Sequence, residues 1–328
     1  MRAAWFNTFG EAKQVIRIGD QPDPKVMVGE VLVKLSTTGI NPSDVKKRAG
    51  AFSNLLDQGL VIPHSDGAGE IVAVGAGVSK NRIGERVWIY QAQYERRFGT
   101  AASLISIDAR RAVILPQETS LEIGACLGIP AMTAHRCVFS DGVVDAQHIL
   151  ITGGAGRVGG YAIQWAKLAG AKVISTASNE QDKKVCEDLG ADIVINHRDE
   201  NWDIDLLDAT KGTKIDRVVD VEFGRNLPKL LNVLKVGATI ATYSSTQIPE
   251  PKIPFLRMMY MDLSIRLVIV YAMPENAKSD AVRDITAALE KDQLSHRIAH
   301  ILPLDSIAHG HELIESGNTR GCVVVNIS

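Results

Sequence analysis

The amino-acid sequence predicts an α/β chain that combines a doubly wound parallel sheet with a second, β-barrel-like domain. In the central part, short apolar strands alternate with helical segments, and such alternation forces right-handed crossovers and a parallel sheet. Before it, short β-like runs recur between glycines and prolines, which is typical of a compact β domain. The chain has 328 residues, more than one hydrophobic core usually serves, so two domains are expected.

The first 122 residues contain short runs of β-branched and apolar residues. We expect strands at Met1–Phe6, Val15–Ile18, Glu30–Ser36, Gly69–Val74, Arg86–Ile89 and Leu104–Ile107. Residues 29–34 (GEVLVK) alternate between polar and apolar side chains, the pattern of a half-buried strand. These runs together predict the β-barrel-like domain.

The central part begins with a helical segment from Leu121, which Pro130 bends or divides. Strands are expected at Gln147–Thr152, Lys172–Ala177, Asp192–Ile195, Arg217–Val221, Thr239–Tyr243 and Ile265–Tyr271. Helices are expected between them, at Tyr161–Ala169, Gln181–Leu189, Asn201–Lys211, Leu227–Leu234 and near Met258. Such a set of strands matches a complete dinucleotide-binding sheet.

The tail returns to shorter elements. Helices are expected at Glu275–Lys291 and Leu304–Glu315, and strands at Arg297–Leu302 and Cys322–Ile327. We assign residues 272–328 to the first domain together with 1–122, and residues 123–271 to the dinucleotide-binding domain. A cleft between the two domains would then hold the ligand.

The stretch that organises the chain is the glycine-rich turn of residues 153–160 (GGAGRVGG), which follows a strand and precedes a helix. Gly154, Gly156 and Gly159 form a G-x-G-x-x-G. We expect Gly154 to take a tight-turn backbone, Gly156 to let backbone N–H groups approach a pyrophosphate, and Gly159 to let the helix pack closely on the strand. A helix N-terminus suits a phosphate. With this context, the spacing predicts a dinucleotide site rather than a simple turn.

The end of the next strand indicates which dinucleotide binds. An NAD site usually places an acid there to bind the ribose 2′-hydroxyl, and residues 176–179 (TASN) contain none. Ser178 and Lys183, with Lys184 nearby, better suit a 2′-phosphate, so we predict NADPH over NADH. The alternative is that these lysines form a solvated helix face.

The composition of the chain limits the partners and the cellular location that we expect. The chain is 45% hydrophobic with a formal charge of −2, so we expect neither nucleic acid nor a disordered acidic arm as partner. Its four cysteines form no C-x-x-C and indicate buried or incidental thiols in a reducing compartment. The N-terminal apolar segment is short for a signal peptide and no run approaches a membrane span, so a cytoplasmic location is expected.

Several stretches together resemble one family. They are Gly39–Gly50 (GINPSDVKKRAG), Ile62–Gly75 (IPHSDGAGEIVAVG), Gly128–Ala134 (GIPAMTA), the glycine-rich turn and Gly317–Val324. In this order they are similar to the medium-chain dehydrogenase/reductase superfamily, in particular to its zinc-free quinone oxidoreductase (zeta-crystallin-like) branch. The resemblance implies a GroES-like catalytic domain built from both ends of the chain around a Rossmann domain.

The resemblance also indicates whether the chain binds zinc. Zinc-containing members supply a Cys near the position of Asn41 and Ser43, and a His just before an acid, where this chain has Ser65 and Asp66. The stretch 88–112 lacks the cysteines of their zinc lobe. His64 and Asp66 lie close by, but zinc needs three or four ligands. We therefore predict no zinc, and interpret His64 and Asp66 as a surface or turn-stabilising pair.

With no zinc ligand set in the sequence, the expected chemistry is hydride donation from NADPH to an acceptor that is already electrophilic. The resemblance implies that Asn41 lies near the nicotinamide and hydrogen-bonds a substrate carbonyl; the alternative is a turn residue before Pro42. It implies that Thr133 approaches the nicotinamide; the alternative is a buried threonine bonded to its own helix.

Further cofactor contacts are expected along the turn and at two strand ends. Arg157, between Ala155 and Val158, could salt-bridge a phosphate or point to solvent. Phe223 lies in the VEFG stretch after one strand, and Tyr243 and Ser244 end the next, where ligands of parallel sheets bind.

The leading hypothesis is thus an NADPH-dependent quinone reductase. A reductase of enone or alkenal double bonds uses the same donor and stays open, as does a crystallin-like nucleotide-binding protein with little turnover. The resemblance favours a homodimer, in which the apolar run 265–271 is either a buried last strand or an edge that pairs with its twin.

Overall fold

The computed structural model describes residues 1–327, and these form two compact units. One unit contains residues 1–129 and those from 282 onward, and the other contains residues 130–281. The domain limits expected from the sequence, 1–122 with 272–328 and 123–271, remain a prediction. Within the described residues, no helix is long and apolar enough to cross a membrane.

The strands of the described chain range from three to eleven residues. In chain order they are β1 (Arg2–Trp5), β2 (Arg17–Asp20), β3 (Glu30–Ile40), β4 (Asp66–Val74), β5 (Arg86–Ile89), β6 (Leu104–Asp108), β7 (Ala112–Ile114), β8 (His148–Ile151), β9 (Lys172–Ala177), β10 (Ile193–Asn196), β11 (Ile215–Asp220), β12 (Leu234–Thr242), β13 (Ser264–Leu267), β14 (Ile298–Pro303) and β15 (Cys322–Asn326).

The helices range from single turns to sixteen residues. They are α1 (Ala12–Val15), α2 (Pro42–Arg48), α3 (Leu121–Gly124), α4 (Met132–Phe139), α5 (Arg157–Leu168), α6 (Glu180–Asp188), α7 (Trp202–Ala209), α8 (Phe223–Val233), α9 (Phe255–Tyr260), α10 (Glu275–Glu290) and α11 (Ile307–Glu315). A π-helical turn at Leu127–Ala131 precedes α4 and contains Pro130, so the proline divides the predicted helical segment.

The unit of residues 130–281 is built on a six-stranded sheet in the order β10-β9-β8-β11-β12-β13. Every neighbouring pair is parallel, because helices return the chain between strands. Strand β8 lies next to both β9 and β11, so the connections run in opposite directions from that point. This switch in direction places the end of β8 where ligands of such sheets bind.

Apolar side chains close this unit on the α7 and α8 side of the sheet. Leu150, Ile174 and Val218, from neighbouring strands, share one buried cluster with Leu206 of α7 and Leu230 of α8. The strands are therefore apolar on buried positions, as expected for a parallel sheet covered by helices.

The other unit contains a seven-stranded sheet in the order β14-β15-β3-β4-β5-β7, with β6 also paired to β3. Apart from the parallel pair β14–β15, its neighbours are antiparallel. The C-terminal strand β15 pairs with β3, so the tail completes the sheet of the N-terminal part. Val31, Val33 and Leu35 alternate into the core, which agrees with the alternation in residues 29–34.

Several elements differ from the sequence-based expectations; α1 and β7 were not predicted, and α8 and β12 begin several residues earlier than expected. Helix α2 was not predicted, because its apolar residues are few and its start is defined by the cap at Asn41 and Pro42 rather than by periodicity. Helix α5 begins at Arg157, earlier than the predicted Tyr161, since its first turn is glycine-rich. Strand β13 ends at Leu267, and residues 270–272 form a 3₁₀ turn, so the predicted strand 265–271 is too long.

Candidate functional site

The glycine-rich turn lies between the end of β8 and the start of α5. Gly153 has a φ of 64°, in the left-handed region that favours glycine. Gly156 N donates to Gly153 O at 2.9 Å, which closes the turn, and Gly156 is the residue that precedes α5. The chain thus leads directly from the sheet edge into the N-terminus of a twelve-residue helix, where unpaired N–H groups suit a phosphate.

Two glycines of the motif are required by close packing. A Cβ on Gly159 would lie 2.4 Å from Gly153 O, and one on Gly154 would lie 2.0 Å from Ser175 Oγ. Gly154 lies within the turn, as expected, but the left-handed φ belongs to Gly153, and what excludes a Cβ at Gly154 is Ser175. A Cβ at Gly159 would push the glycine-rich turn away from α5. With glycine at this position, the turn packs closely on the start of the helix, and this arrangement fits the pyrophosphate of a dinucleotide.

The strand ends beside the turn are tied together by Asp220, the last residue of β11. Its Oδ1 accepts hydrogen bonds from Thr152 Oγ1 at 2.7 Å and Asn226 Nδ2 at 2.8 Å. Thr152 Oγ1 in turn accepts from Val221 N at 3.0 Å. Burial raises the pKa of Asp220. The residue fixes the ends of β8 and β11 and was not identified from the sequence.

The structure brings the other predicted cofactor residues to the same sheet edge. Phe223 is buried at the start of α8, and its N–H donates to Ser244 O at 3.0 Å. Tyr243 lies next to β12, and its desolvated surroundings, with Cys137 and Asp220 close by, raise its pKa well above the ordinary value. Arg157, half-buried in the first turn of α5, is close enough to oppose that rise. Ala155 is buried in the turn and Val158 half-buried in α5.

The predicted 2′-phosphate residues lie at the end of β9 and in α6. Ser178 Oγ donates to Asp182 Oδ2 at 2.9 Å, and Asn179 Nδ2 donates to the same oxygen at 3.0 Å. The sequence reasoning missed this carboxylate because Asp182 comes after the strand, in the first turn of the helix. Lys183 is half-buried in α6 beside it. A 2′-phosphate here would have to accept the hydroxyl of Ser178 in place of Asp182.

In the unit of residues 1–129 and 282 onward, Asn41 caps α2. Its N–H donates to Asp44 Oδ2 at 2.8 Å, and its side-chain Nδ2 donates to Asp66 Oδ2 at 2.8 Å. Its helix-capping position agrees with the turn alternative, but the side-chain amide is directed at another element. Asn41 is 4% exposed. Thr133, buried in α4, belongs to the other unit.

His64 and Asp66 are both fully buried, so of the two expected roles, a surface pair or a turn-stabilising pair, the first was wrong. His64 Nε2 lies 2.9 Å from His311 Nε2, and His64 Nδ1 lies 2.9 Å from Thr38 Oγ1. Desolvation lowers the pKa of His64 well below its ordinary value and that of His311 to about 3. The two imidazoles are therefore neutral at pH 7. Because His311 lies in helix α11, far from His64 along the chain, no local sequence pattern predicts the contact between them.

The residues around Asn41 do not fit a zinc ion. Asn41, Ser65 and Asp66 offer an amide, a hydroxyl and a carboxylate, with no thiolate or imidazole among them. Asp66 Oδ2 already accepts from Asn41 Nδ2 and from Ile129 N, each at 2.8 Å. Among the described residues, no group of three His, Cys, Asp or Glu side chains could hold a metal.

Comparisons with known proteins cover most of the chain. Residues 28–117 match the family model "Alcohol dehydrogenase GroES-like domain", and residues 158–287 match "Zinc-binding dehydrogenase". Human quinone oxidoreductase is 30% identical over 322 residues, which is 97% of this chain and 95% of that protein. Tomato 2-methylene-furan-3-one reductase is 28% identical over 99% of this chain and 79% of its own length.

Solved structures confirm the predicted fold class. Escherichia coli quinone oxidoreductase complexed with NADPH superposes with a TM-score of 0.87 at 23% identity, covering 100% of each chain. At this level of identity, the similarity shows the fold alone. An NAD-dependent alcohol dehydrogenase superposes with a TM-score of 0.87 at 27% identity, also over 100% of each chain. A GroES-like domain and a Rossmann domain are thus present in this chain.

Proposed function

Because the chain belongs to the quinone oxidoreductase branch of the medium-chain dehydrogenase/reductase superfamily, we propose that it is an NADPH:quinone reductase that works without zinc. Membership of this family by itself implies that the protein is an oxidoreductase with a nicotinamide cofactor. The observation that supports the proposal beyond family membership is the glycine-rich turn at residues 153–160, whose backbone leaves no room for a Cβ at position 159. The quinone as acceptor and NADPH as donor are our proposal.

The bound nicotinamide would supply the hydride, and the protein would bind, orient and shield it. N–H groups of the turn and of the first turn of α5 hold the pyrophosphate. Phe223, Tyr243 and Ser244 border the dinucleotide at the ends of β11 and β12. The hydroxyl of Tyr243 stays protonated, since its pKa is raised well above its ordinary value, and it can donate a hydrogen bond.

On the substrate side we propose Asn41 and Thr133. The Asn41 amide has two N–H groups, and one is bonded to Asp66. The second would donate to the substrate carbonyl, where negative charge develops as hydride arrives. The hydroxyl of Thr133 would contact the nicotinamide.

The preference for NADPH can be tested at Lys183. We expect Lys183→Ala to raise the dissociation constant of NADPH about tenfold, because a charge-assisted contact to the 2′-phosphate is lost, and to leave that of NADH unchanged. Lys184→Ala is the matched control, since the Lys184 amine already pairs with Asp188 at 3.0 Å. Fluorescence titration with both dinucleotides measures the effect. Equal losses for NADH and NADPH would contradict the 2′-phosphate role.

A second candidate function is the reduction of conjugated enones. It is favoured by the similarity to the tomato 2-methylene-furan-3-one reductase over nearly the whole chain. Enones and quinones are both electrophilic without a Lewis acid, so the same site could serve either.

One assay separates these candidates. Oxidation of NADPH is followed with a panel of quinones and a panel of enones, for the wild type and for Asn41→Ala. We expect the highest kcat/KM with a quinone and a loss of about 10²-fold in the variant. Turnover of enones alone would favour the second candidate, and turnover of neither would favour a nucleotide-binding protein with little activity. Unchanged turnover in Asn41→Ala would remove Asn41 from the site.

We also propose that the protein is a homodimer. Strand β13 lies at the end of its sheet, and its last residue, Leu267, is exposed, as is Ile269 just after the strand. An exposed apolar edge strand is suited to pairing with a second copy. Sedimentation velocity of the wild type and of Leu267→Asp measures this, and a monomeric wild type would contradict it.

A further inference from the structure

Asp66 has no part in the proposed function, yet the fold brings it to Asn41. It is the first residue of β4 and lies opposite Gly39 in the antiparallel pairing with β3. Asn41 follows two residues later, at the start of α2. The register of β3 and β4 therefore brings a carboxyl group beside the side-chain amide of Asn41.

The two oxygens of this carboxyl group have different surroundings. Oδ2 accepts N–H groups from Asn41 Nδ2 and from Ile129 N, each at 2.8 Å. Oδ1 is buried and has no hydrogen-bond partner among the described residues. Gly128 lies directly against it, since a Cβ there would be 2.1 Å from Oδ1. The carboxyl group is thus held at Oδ2 by two hydrogen-bond donors and packed at Oδ1 against Gly128.

This arrangement is unfavourable for stability alone. An unpartnered buried oxygen costs about 1–3 kcal/mol. Desolvation raises the pKa of Asp66 to about 8, in spite of the two donors and of Lys47 nearby. A proton would bind at Oδ1, because Oδ2 is filled by two N–H groups. Oδ2 therefore accepts from Asn41 in either protonation state, and a costly group of this kind indicates a functional reason.

The backbone of Asp66 is fixed as well. Its carbonyl oxygen accepts from Thr100 Oγ1 at 2.7 Å and Thr38 Oγ1 at 3.2 Å. Thr38 is in turn bonded to His64, which has a φ of 77°. Such surrounding contacts are what hold a site residue in its working geometry.

We propose that Asp66 is the positioning residue of Asn41. Its carboxyl group binds one N–H of the Asn41 amide and thereby directs the other N–H to the carbonyl oxygen of the substrate. This inference rests on the proposed function, in which Asn41 contacts the substrate. Asp66 itself contacts neither substrate nor cofactor, and acts through the orientation of the amide.

The test compares Asp66→Ala, Asn41→Ala and the double variant, with Asp66→Asn as a conservative change that keeps an acceptor oxygen. We expect Asp66→Ala to lower kcat about 10²-fold, because misorientation of a catalytic group by about 1 Å has that effect. KM and the dissociation constant of NADPH should stay within about twofold. Asp66→Asn should retain most of kcat. In the Asn41→Ala background, loss of Asp66 should change kcat less than about twofold.

Asp203→Asn is the matched control, because Asp203 also accepts from a side-chain amide, Asn232 Nδ2, at 2.7 Å. It should leave kcat unchanged. Equal factors for Asp66→Ala in the wild-type and Asn41→Ala backgrounds would overturn the proposal, since a merely structural role is independent of Asn41.

A second measurement does not depend on activity. Crystal structures of the wild type and of the Asp66 variants show the orientation of the Asn41 amide directly. We expect it to rotate in Asp66→Ala and to stay in Asp66→Asn. An unchanged amide in Asp66→Ala would overturn the proposal even if no acceptor is turned over. Absent turnover with a rotated amide would instead refute the proposed function alone.

Discussion

Gly159→Ala is expected to raise the dissociation constant of the nicotinamide cofactor at least about 100-fold. The new Cβ would lie 2.4 Å from Gly153 O and 2.8 Å from Gly154 Cα, and neither backbone atom can rotate away. The turn must therefore separate from α5. Two N–H bonds to a charged phosphate would be lost, each worth about 1.5 kcal/mol or more, which corresponds to about two decades in affinity.

Gly160→Ala is the control for this change. Its Cβ would meet only Leu189 Cδ1, at 3.3 Å, and Gly154 O at 3.6 Å, and a leucine methyl group can shift. Its affinity should stay within about twofold of the wild type, since no hydrogen bond is lost. Calorimetric titration with NADPH and NADH gives both values, and circular dichroism shows that both variants are folded. Wild-type affinity in Gly159→Ala would contradict the placement of the dinucleotide at this turn.

Mild acid is expected to destabilise the protein through the buried pair His64 and His311. In the unfolded chain both titrate near the ordinary histidine value of 6.5, whereas in the fold the pKa of His311 is lowered to about 3 and that of His64 well below 6.5. Below pH 6.5 the unfolded chain therefore binds protons that the folded one does not. The free energy of unfolding falls as the pH drops, by up to about 1.4 kcal/mol per pH unit for each imidazole.

Other groups add to this slope with known signs. His296, with its pKa lowered by burial to about 4, acts in the same direction. Asp66 opposes it, because its pKa is raised to about 8, so the folded chain holds its proton between pH 8 and 3.8. Asp220, whose pKa is also raised by burial, opposes the slope in the same way. The three imidazoles against these two carboxyl groups leave a net loss of about 1.4 kcal/mol per pH unit.

Urea denaturation at several pH values between 6.5 and 4.5 measures this slope. His311→Gln removes one of the buried imidazoles and should reduce it. His309→Gln, in the same helix but with its side chain 55% exposed, is the control substitution. A free energy of unfolding that is constant or rises on acidification would show that the pair does not remain neutral in the fold.

Elements with strong local signals were predictable. The strand, glycine turn and helix at residues 148–168 follow from turn chemistry and apolar runs, and the parallel sheet follows from their alternation with helices. Helix α2 was missed, because it is short and defined by its cap. The close packing that Gly154 relieves was also missed, since Ser175 Oγ, its nearest neighbour, belongs to the next strand.

The sequence by itself determined the fold class, the glycine-rich turn between a strand and a helix, and the family, because each depends on neighbours along the chain or on a run of motifs in order. Only the tertiary structure decided the surroundings of Asp66, Asp182, Asp220 and the pair His64 and His311. Each of these meets partners through a helix turn, a strand register or a distant helix. Burial and pairing set the charge of such groups, and neither can be seen from residue types and spacing alone.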